Sequence, residues 1–248
     1  MEDLKLPPPA KLAVSVRDVD IDFEVFADRR AGLKARLVDR NAAGKSVVRA
    51  IRGVSIDVYE GESVGVIGLN GSGKSTLLSA IAGVLPITKG EILVSDEPRL
   101  MSVGSILVGE ASGIRNIRLG CLALGMSKAE LEERLDELVD FTELGDAIHR
   151  PLNTYSSGMR ARVQFVTATA VTPRILLIDE ALGVGDKDFR AKSRARIEEI
   201  IEEAGTLIMV NHSLDELSSF CSRGILLEGG RVAMDGPISD VIKAYKGK

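Results

Sequence analysis

Three stretches, met in a fixed order, restrict this chain more than its overall composition does. First comes a glycine loop, Gly68 to Thr76 (GLNGSGKST). A serine-glycine helix start follows in Tyr155-Ser156-Ser157-Gly158-Met159, then an apolar run closing on two carboxylates, Ile175-Leu176-Leu177-Ile178-Asp179-Glu180. Apolar Ser63 to Ile67 precedes the loop and a helical segment, Lys74 to Ala82, follows it, which is the strand, loop, helix order of a phosphate cradle. Gly68, Gly71 and Gly73 let backbone amides approach phosphate oxygens without side-chain hindrance, and the helix opening at Lys74 turns its positive dipole end on the same anion. The candidate phosphate-binding residues are therefore Gly68, Asn70, Gly71, Ser72, Gly73, Lys74, Ser75 and Thr76, with Lys74 reaching the outer phosphates and Ser75 a magnesium ion. Asp179 and Glu180, adjacent at a strand end, point to opposite sides. That separation suits two jobs, Asp179 holding the metal and Glu180 polarising an attacking water as general base.

With 248 residues, 45% hydrophobic and 27% charged, the chain has the length and balance of one folded domain spanning residues 1–248. No apolar stretch approaches the ~20 residues that span a bilayer. The opening MEDLKLPPPAKL has no apolar signal core, so a cytosolic location is expected. A formal charge of −4 gives no global attraction to nucleic acid or anionic lipid, and no nucleic-acid partner is expected. Cys121 and Cys221 lie too far apart in sequence for a paired metal motif and read as buried reduced thiols.

Alternation at Val14, Val16, Val19, Ile21, Phe23 and Val25, and again at Ile51, Val54, Ile56 and Val58, predicts strands of an antiparallel layer. Basic and polar residues 27–46 between them read as a surface insertion. Ser127-x-x-Glu130 is a capping box opening a helix with Leu131, Leu135 and Leu138 on one face, and another helix is expected to begin near Ser157. Residues from about 105 to 172 thus form an expected helical subdomain. Beyond the carboxylates the pattern predicts a helix over 187–203, a strand over Thr206 to Val210, a helix over 213–220, short strands around Ile225 and Val232, and a last amphipathic helix. The fold expected is an α/β P-loop NTPase core with a mostly parallel sheet, an N-terminal antiparallel β layer and an inserted α-helical subdomain.

These motifs resemble the ATP-binding cassette nucleotide-binding domains from about residue 12 to the C-terminus. The resemblance implies ATP and Mg²⁺ as cofactors and a homodimer with composite ATP sites. In each site Ser156 and Gly158 of one subunit bind the γ-phosphate held by the glycine loop of the other. It also implies a switch histidine at His212, in Asn211-His212-Ser213, and an interface loop at Asp186, in Gly183-Val184-Gly185-Asp186. An aromatic ring should stack on adenine: Phe23 fits best and Phe26 is the alternative. His149 lacks such a setting and reads as structural.

Within the family, TYSSGMRAR, DEALGVGD and the spaced Gly104, Glu110, Gly113, Asn116 and Ile117 resemble ATPases that export cell-surface polysaccharides on lipid carriers, such as O-antigen, capsule, teichoic acid and galactan. This implies a peripheral ATPase subunit on the cytoplasmic face of the cell membrane, working with an integral membrane permease to move a lipid-linked glycan. A different transporter ATPase, or a soluble cassette ATPase without a membrane partner, is the alternative. The family's coupling glutamine is absent, since Gln164 behind the signature is the chain's one Gln. Glu110 is the candidate near the membrane partner, and Ser105-Ile106-Leu107-Val108 is an apolar segment that either docks such a partner or ends a buried strand. With the sequence ending at Lys248, the further glycan-binding domain that some polysaccharide exporters carry is not expected.

Overall fold

The computed structural model describes residues 11–26, 45–101, 107–179 and 187–247. In chain order the elements are β1 (Leu12–Phe26), β2 (Lys45–Tyr59), β3 (Ser63–Ile67), α1 (Lys74–Ile81), β4 (Lys89–Val94), β5 (Arg99–Met101), α2 (Gly113–Ala123), α3 (Lys128–Thr142), α4 (Ser157–Ala168), β6 (Ile175–Asp179), α5 (Lys187–Glu203), β7 (Thr206–Val210), α6 (Leu214–Phe220), β8 (Arg223–Glu228), β9 (Arg231–Pro237) and α7 (Ile238–Lys246). A three-stranded antiparallel sheet runs in the order β2-β1-β4, and a six-stranded sheet in the order β5-β6-β7-β3-β8-β9. Only β9 is antiparallel within the second sheet. The α/β class, the parallel core and the antiparallel N-terminal layer are those the alternation implies. Strand β4 went unread, being largely exposed and charged; β5, where the family resemblance implies a strand near residue 100, has three residues, too few to show a period of its own. Lys45 and Ser46, assigned to the insertion by composition, belong to β2.

Alternation of side chains divides the parallel sheet into two faces. Val64, Val66, Leu177, Ile208, Val210 and Leu227 face one way, against Leu77, Leu78 and Ile81 of α1 and the inward row Val14, Val16, Val19 and Ile21 of β1. Leu176, Ile178, Leu207, Met209 and Leu226 face the other, against the helices that follow. Most of these side chains are fully buried, each contributing about 1.5–3 kcal/mol relative to exposure. The glycine loop is thus held by a helix whose apolar stripe is clamped between two sheets.

Helices α2, α3 and α4 stand beside the parallel sheet. Serines cap all three: Ser112, Ser127 and Ser156 accept from the amides of Arg115, Glu130 and Met159 at 3.4, 3.2 and 3.2 Å. Caps of this kind contribute about 0.5–2 kcal/mol each. Close approach of α2 to α4 depends on Gly120, where an added Cβ would overlap the Thr167 methyl. Thr167 is buried and its hydroxyl donates to the Val163 carbonyl at 2.8 Å, so it has little freedom to yield. Gly120→Ala should therefore cost about 1–3 kcal/mol by overpacking. A thermal melt should show this as a fall of roughly 2–4 °C per kcal/mol; an unchanged midpoint would mean that α2 and α4 are not locked at this point.

Candidate functional site

Three adjacent parallel strands deliver the candidate residues to one edge. In the six-stranded sheet β6, β7 and β3 are neighbours, with Asp179 opposite Val210 and Val210 opposite Val66. Each strand ends within a residue or two of this row. The chain then passes from Ile67 into the glycine loop and from Val210 into Asn211-His212-Ser213. Crevices at the carboxyl ends of parallel strands are where open α/β sheets bind ligands.

The glycine loop is shaped by contacts with two other segments. Gly73 caps α1 at φ +105, and a Cβ there would sit 2.7 Å from both the Ala50 carbonyl oxygen and Ile51 Cδ1. Ala50 bulges out of the β1–β2 ladder, since Ile21 pairs with Ile51 but Asp22 pairs with Arg49. Gly230, in the β8–β9 turn, approaches the same carbonyl and donates its amide to Ser72 O at 3.1 Å. Lys74 is buried and its ammonium donates to Gly68 O at 2.9 Å and Leu69 O at 3.1 Å, which folds it back over the loop. Ser75 is exposed at the start of α1 and Thr76 half-buried; Asn70 and Gly71 form the exposed tip.

Asp179 closes β6 half-buried, and its Oδ1 is shielded from solvent with no hydrogen-bond partner among the described residues. A shielded carboxylate oxygen on the same edge as the Ser75 hydroxyl fits a hard, oxygen-seeking divalent cation. His212 is exposed in a turn held by Asn211, whose Oδ1 accepts from the Ser213 amide at 2.8 Å and whose Nδ2 donates to Glu216 at 2.5 Å. Glu180, Asp186 and Gly183-Val184-Gly185 lie outside the described residues, as do Gly104, Ser105 and Ile106.

The Ser156 hydroxyl accepts from the Met159 amide, which leaves its own O–H proton as a donor. Around Gly158 the nearest atom to an added Cβ is Ser156 Oγ at 3.9 Å, so this face of α4 is open. Tyr155, buried, fixes the approach by donating to Ala147 O, and Arg160 wraps back to donate to the Tyr155 carbonyl. Sequence reading passed over Arg160, a role that shows only once α4 has turned it onto the residue before its own cap.

Phe23 is 38% exposed and pairs with Val48, itself 50% exposed. Both lie on the face of the sheet that carries buried Ile21 and Ile51 toward Gly73, one step past the end of the core. The alternative ring, Phe26, ends β1, and its side chain lies outside the described residues.

Asn116, met in sequence only as part of a spaced pattern, is a buried staple. Its amide nitrogen donates to the carbonyls of Val108, Ala111 and Ser112, and its oxygen accepts from the Val108 amide. The segment so held, 107–112, presents Glu110 and Val108 to solvent, so Val108 is no buried strand end. Exposed Leu119 and Leu122 follow on α2. Cys121 and Cys221 are free and buried, their thiols pushed up to about 11 and about 12 by desolvation, which keeps them protonated and inert.

The family model described as ABC transporter matches residues 51–183. The chain is 36% identical over 234 residues to the teichoic acids export ATP-binding protein TagH of Listeria monocytogenes, covering 94% of this chain and 70% of that one. To the protein of the same name from Enterococcus faecalis it is 41% identical, with 79% of this chain and 44% of the relative covered. The corresponding figures for Staphylococcus haemolyticus are 33%, 95% and 88%. The chain thus spans from under half to most of the length of these relatives. Among solved structures, an ATP-binding subunit of an ABC transporter superposes with a TM-score of 0.70 at 24% identity, covering 94% of this chain and 93% of that one. A dimeric ATP-binding cassette in a post-hydrolysis state with ADP and Pi superposes with 0.68 at 22%, covering 91% and 98%.

Gly71 and Gly73, two of the three loop glycines with positive φ, separate conformational strain from collision. Gly71 (φ +79) has nothing within 4 Å of an added Cβ, whereas Gly73 meets the Ala50 carbonyl. In titration calorimetry with Mg-ATP, Gly73→Ala should weaken binding at least about tenfold more than Gly71→Ala, a difference of about 1.4 kcal/mol. Equal losses would show that the Ala50 contact does not shape the loop.

Proposed function

The chain belongs to the ABC transporter family, and from that premise we propose that it is the ATP-binding and ATP-hydrolysing subunit of an exporter that moves a lipid-linked cell-surface polysaccharide across the cytoplasmic membrane. The observation that carries the nucleotide half of this reading is the shared edge of β6, β7 and β3, which sets Asp179, the His212 turn and the Gly68–Thr76 loop side by side. The cargo half is supported by the relatives' names, teichoic acids export ATP-binding proteins.

ATP would lie with its β- and γ-phosphates in the amide cradle from Gly68 to Gly73, over the N-terminus of α1. Lys74, now bonded to the Gly68 and Leu69 carbonyls, exchanges those acceptors for phosphate oxygens. Ser75 and Asp179 would hold Mg²⁺, which when bound neutralises phosphate charge as it develops. Glu180 takes a proton from the attacking water, and His212 orients that water against the γ-phosphate. Phe23 offers adenine its exposed ring beside Val48. Ser156 and Gly158 close the site of a second copy with the serine hydroxyl and the first-turn amides of α4, and Asp186 keeps the interface role that the family resemblance implies for it. The exposed positions of Ser156 and His212 support an assembly of two copies, since both need a covering surface to meet substrate away from water.

A membrane permease would seat against the stapled segment 107–112, with exposed Val108 and Glu110, and against α2, with exposed Leu119 and Leu122. The protein would then work as a peripheral subunit on the cytoplasmic face, with the glycan itself handled by the permease.

Glu180→Gln should retain Mg-ATP binding within a few fold while lowering turnover about 10²–10⁴-fold, the range of a lost general base; wild-type turnover would remove Glu180 from that role. Depleting the protein in its native cell should make carrier-linked glycan accumulate inside while surface polymer falls. An unchanged pool, with depletion verified, would dismiss the cargo assignment and leave the ATPase assignment standing.

A further inference from the structure

Away from the nucleotide edge, three helices are locked by one carboxylate. Phe141 of α3, Phe165 of α4 and Phe189 of α5 form a triangle with ring centroids 6.1, 6.0 and 5.7 Å apart. Two cations lie over its rings. The Arg162 guanidinium of α4 sits 4.6 Å from the Phe189 centroid, and the Lys192 ammonium of α5 sits 4.4 Å from that of Phe141. Glu143 joins the two, with Oε2 3.0 Å from Arg162 and Oε1 2.9 Å from Lys192. Arg162 and Lys192 also donate to the Thr142 and Phe141 carbonyls, so both cations close onto the last turn of α3.

Glu143 itself is unusual. It caps α3 at φ +55, in the left-handed region where helix ends favour glycine or asparagine. A non-glycine residue held there against its preference points to a constraint imposed by its surroundings, here the two cations, which also pull its carboxyl below the usual carboxylate range.

The joined helices lead to different places. At the N-terminus of α4 stand Ser156 and Gly158, while α5 is the first described element after Asp179. From α5, Arg194 also comes within 3.8 Å of Glu216, the acceptor for Asn211 in the His212 turn. In the composite arrangement proposed above, on which this inference rests, Ser156 and Gly158 serve the partner's ATP while Asp179 and His212 serve the subunit's own. We propose that Glu143 is a positioning residue that makes α4 and α5 one body, so that closure of the signature on one ATP is transmitted to the acidic strand and histidine turn of the other site. The aromatic triangle supplies the stiff packing, and the carboxylate fixes the two cations in register above it. Exposed ion pairs add little to global stability, so the clamp shows itself in communication between sites and not in melting.

The test is steady-state ATP hydrolysis by the full-length chain as a function of ATP concentration, with thermal melts alongside, for wild type, Glu143→Gln, Lys192→Met and the double variant. Wild type should respond sigmoidally with a Hill coefficient approaching about 2, the number of sites. Each single variant should fall toward about 1, the double variant no further, with midpoints shifted by no more than about 2–4 °C. Variants as cooperative as wild type would overturn the proposal while leaving composite sites intact, and a large loss of melting temperature with cooperativity kept would reduce Glu143 to a structural role. A hyperbolic response in wild type would remove the composite-site reading itself and the clamp with it.

Discussion

At the Ala50 carbonyl three segments meet at a distance that admits no side chain. The bulge in β2 pushes this oxygen out of the ladder toward Gly73 of the phosphate loop and Gly230 of the β8–β9 turn, and a Cβ on either glycine would come within 2.7 Å of it. The amide of Gly230 then bonds Ser72 O. The loop is therefore not left to its own flexibility; it is pressed from both sheets into the shape its amides need. Preorganised amides pay no reorganisation when phosphate arrives, which is what makes such a cradle effective.

From that point the molecule divides its labour by rigidity. The parallel sheet fixes Asp179 and the His212 turn relative to the loop, because strand register leaves no freedom between β6, β7 and β3. Helices α2, α3 and α4 instead form a block that shares a buried core with the sheet, and the Glu143 clamp ties α3 and α4 of it to α5. Packed cores shift between discrete arrangements and do not bend continuously, so a block joined in this way would move as a unit.

The parts of the fold legible in sequence were those with a strong period or a local motif. Alternation marked β1 and β2, the capping serines marked α3 and α4, and the glycine loop announced the strand before it and the helix after it. Strand β4 escaped because its pairing with β1 leaves most of its residues exposed, so the apolar alternation that signals a strand is weak. The glycine loop was readable as the link between β3 and α1 because its spacing alone marks it. Ala50, Gly230 and Glu143 were not, since each acts on residues distant in the chain: Ala50 and Gly230 meet only through sheet pairing, and Glu143 meets Lys192 only once α3 and α5 have packed. Asn116 lay between these cases, visible as one of a spaced set, while its task of satisfying four backbone groups needed the folded segment 107–112.

Exposure decides how such a site can work. Lys74 is buried, but Ser75, His212 and Ser156 are open to water, where a unit charge interaction at 4 Å is worth only about 1 kcal/mol against about 4 kcal/mol at the dielectric of a partly screened protein surface. In the proposed reaction the same residues would stabilise a phosphoryl-transfer transition state weakly while solvated and strongly once covered. A surface able to cover them must bring donors, because a merely apolar lid would strand the phosphate oxygens without hydrogen bonds. The N-terminus of α4, with a serine hydroxyl and first-turn amides open above Gly158, is such a donor surface. In the proposed assembly its complement would be the cradle of a second copy, so that binding ATP would both complete the site and supply free energy that draws the two copies together.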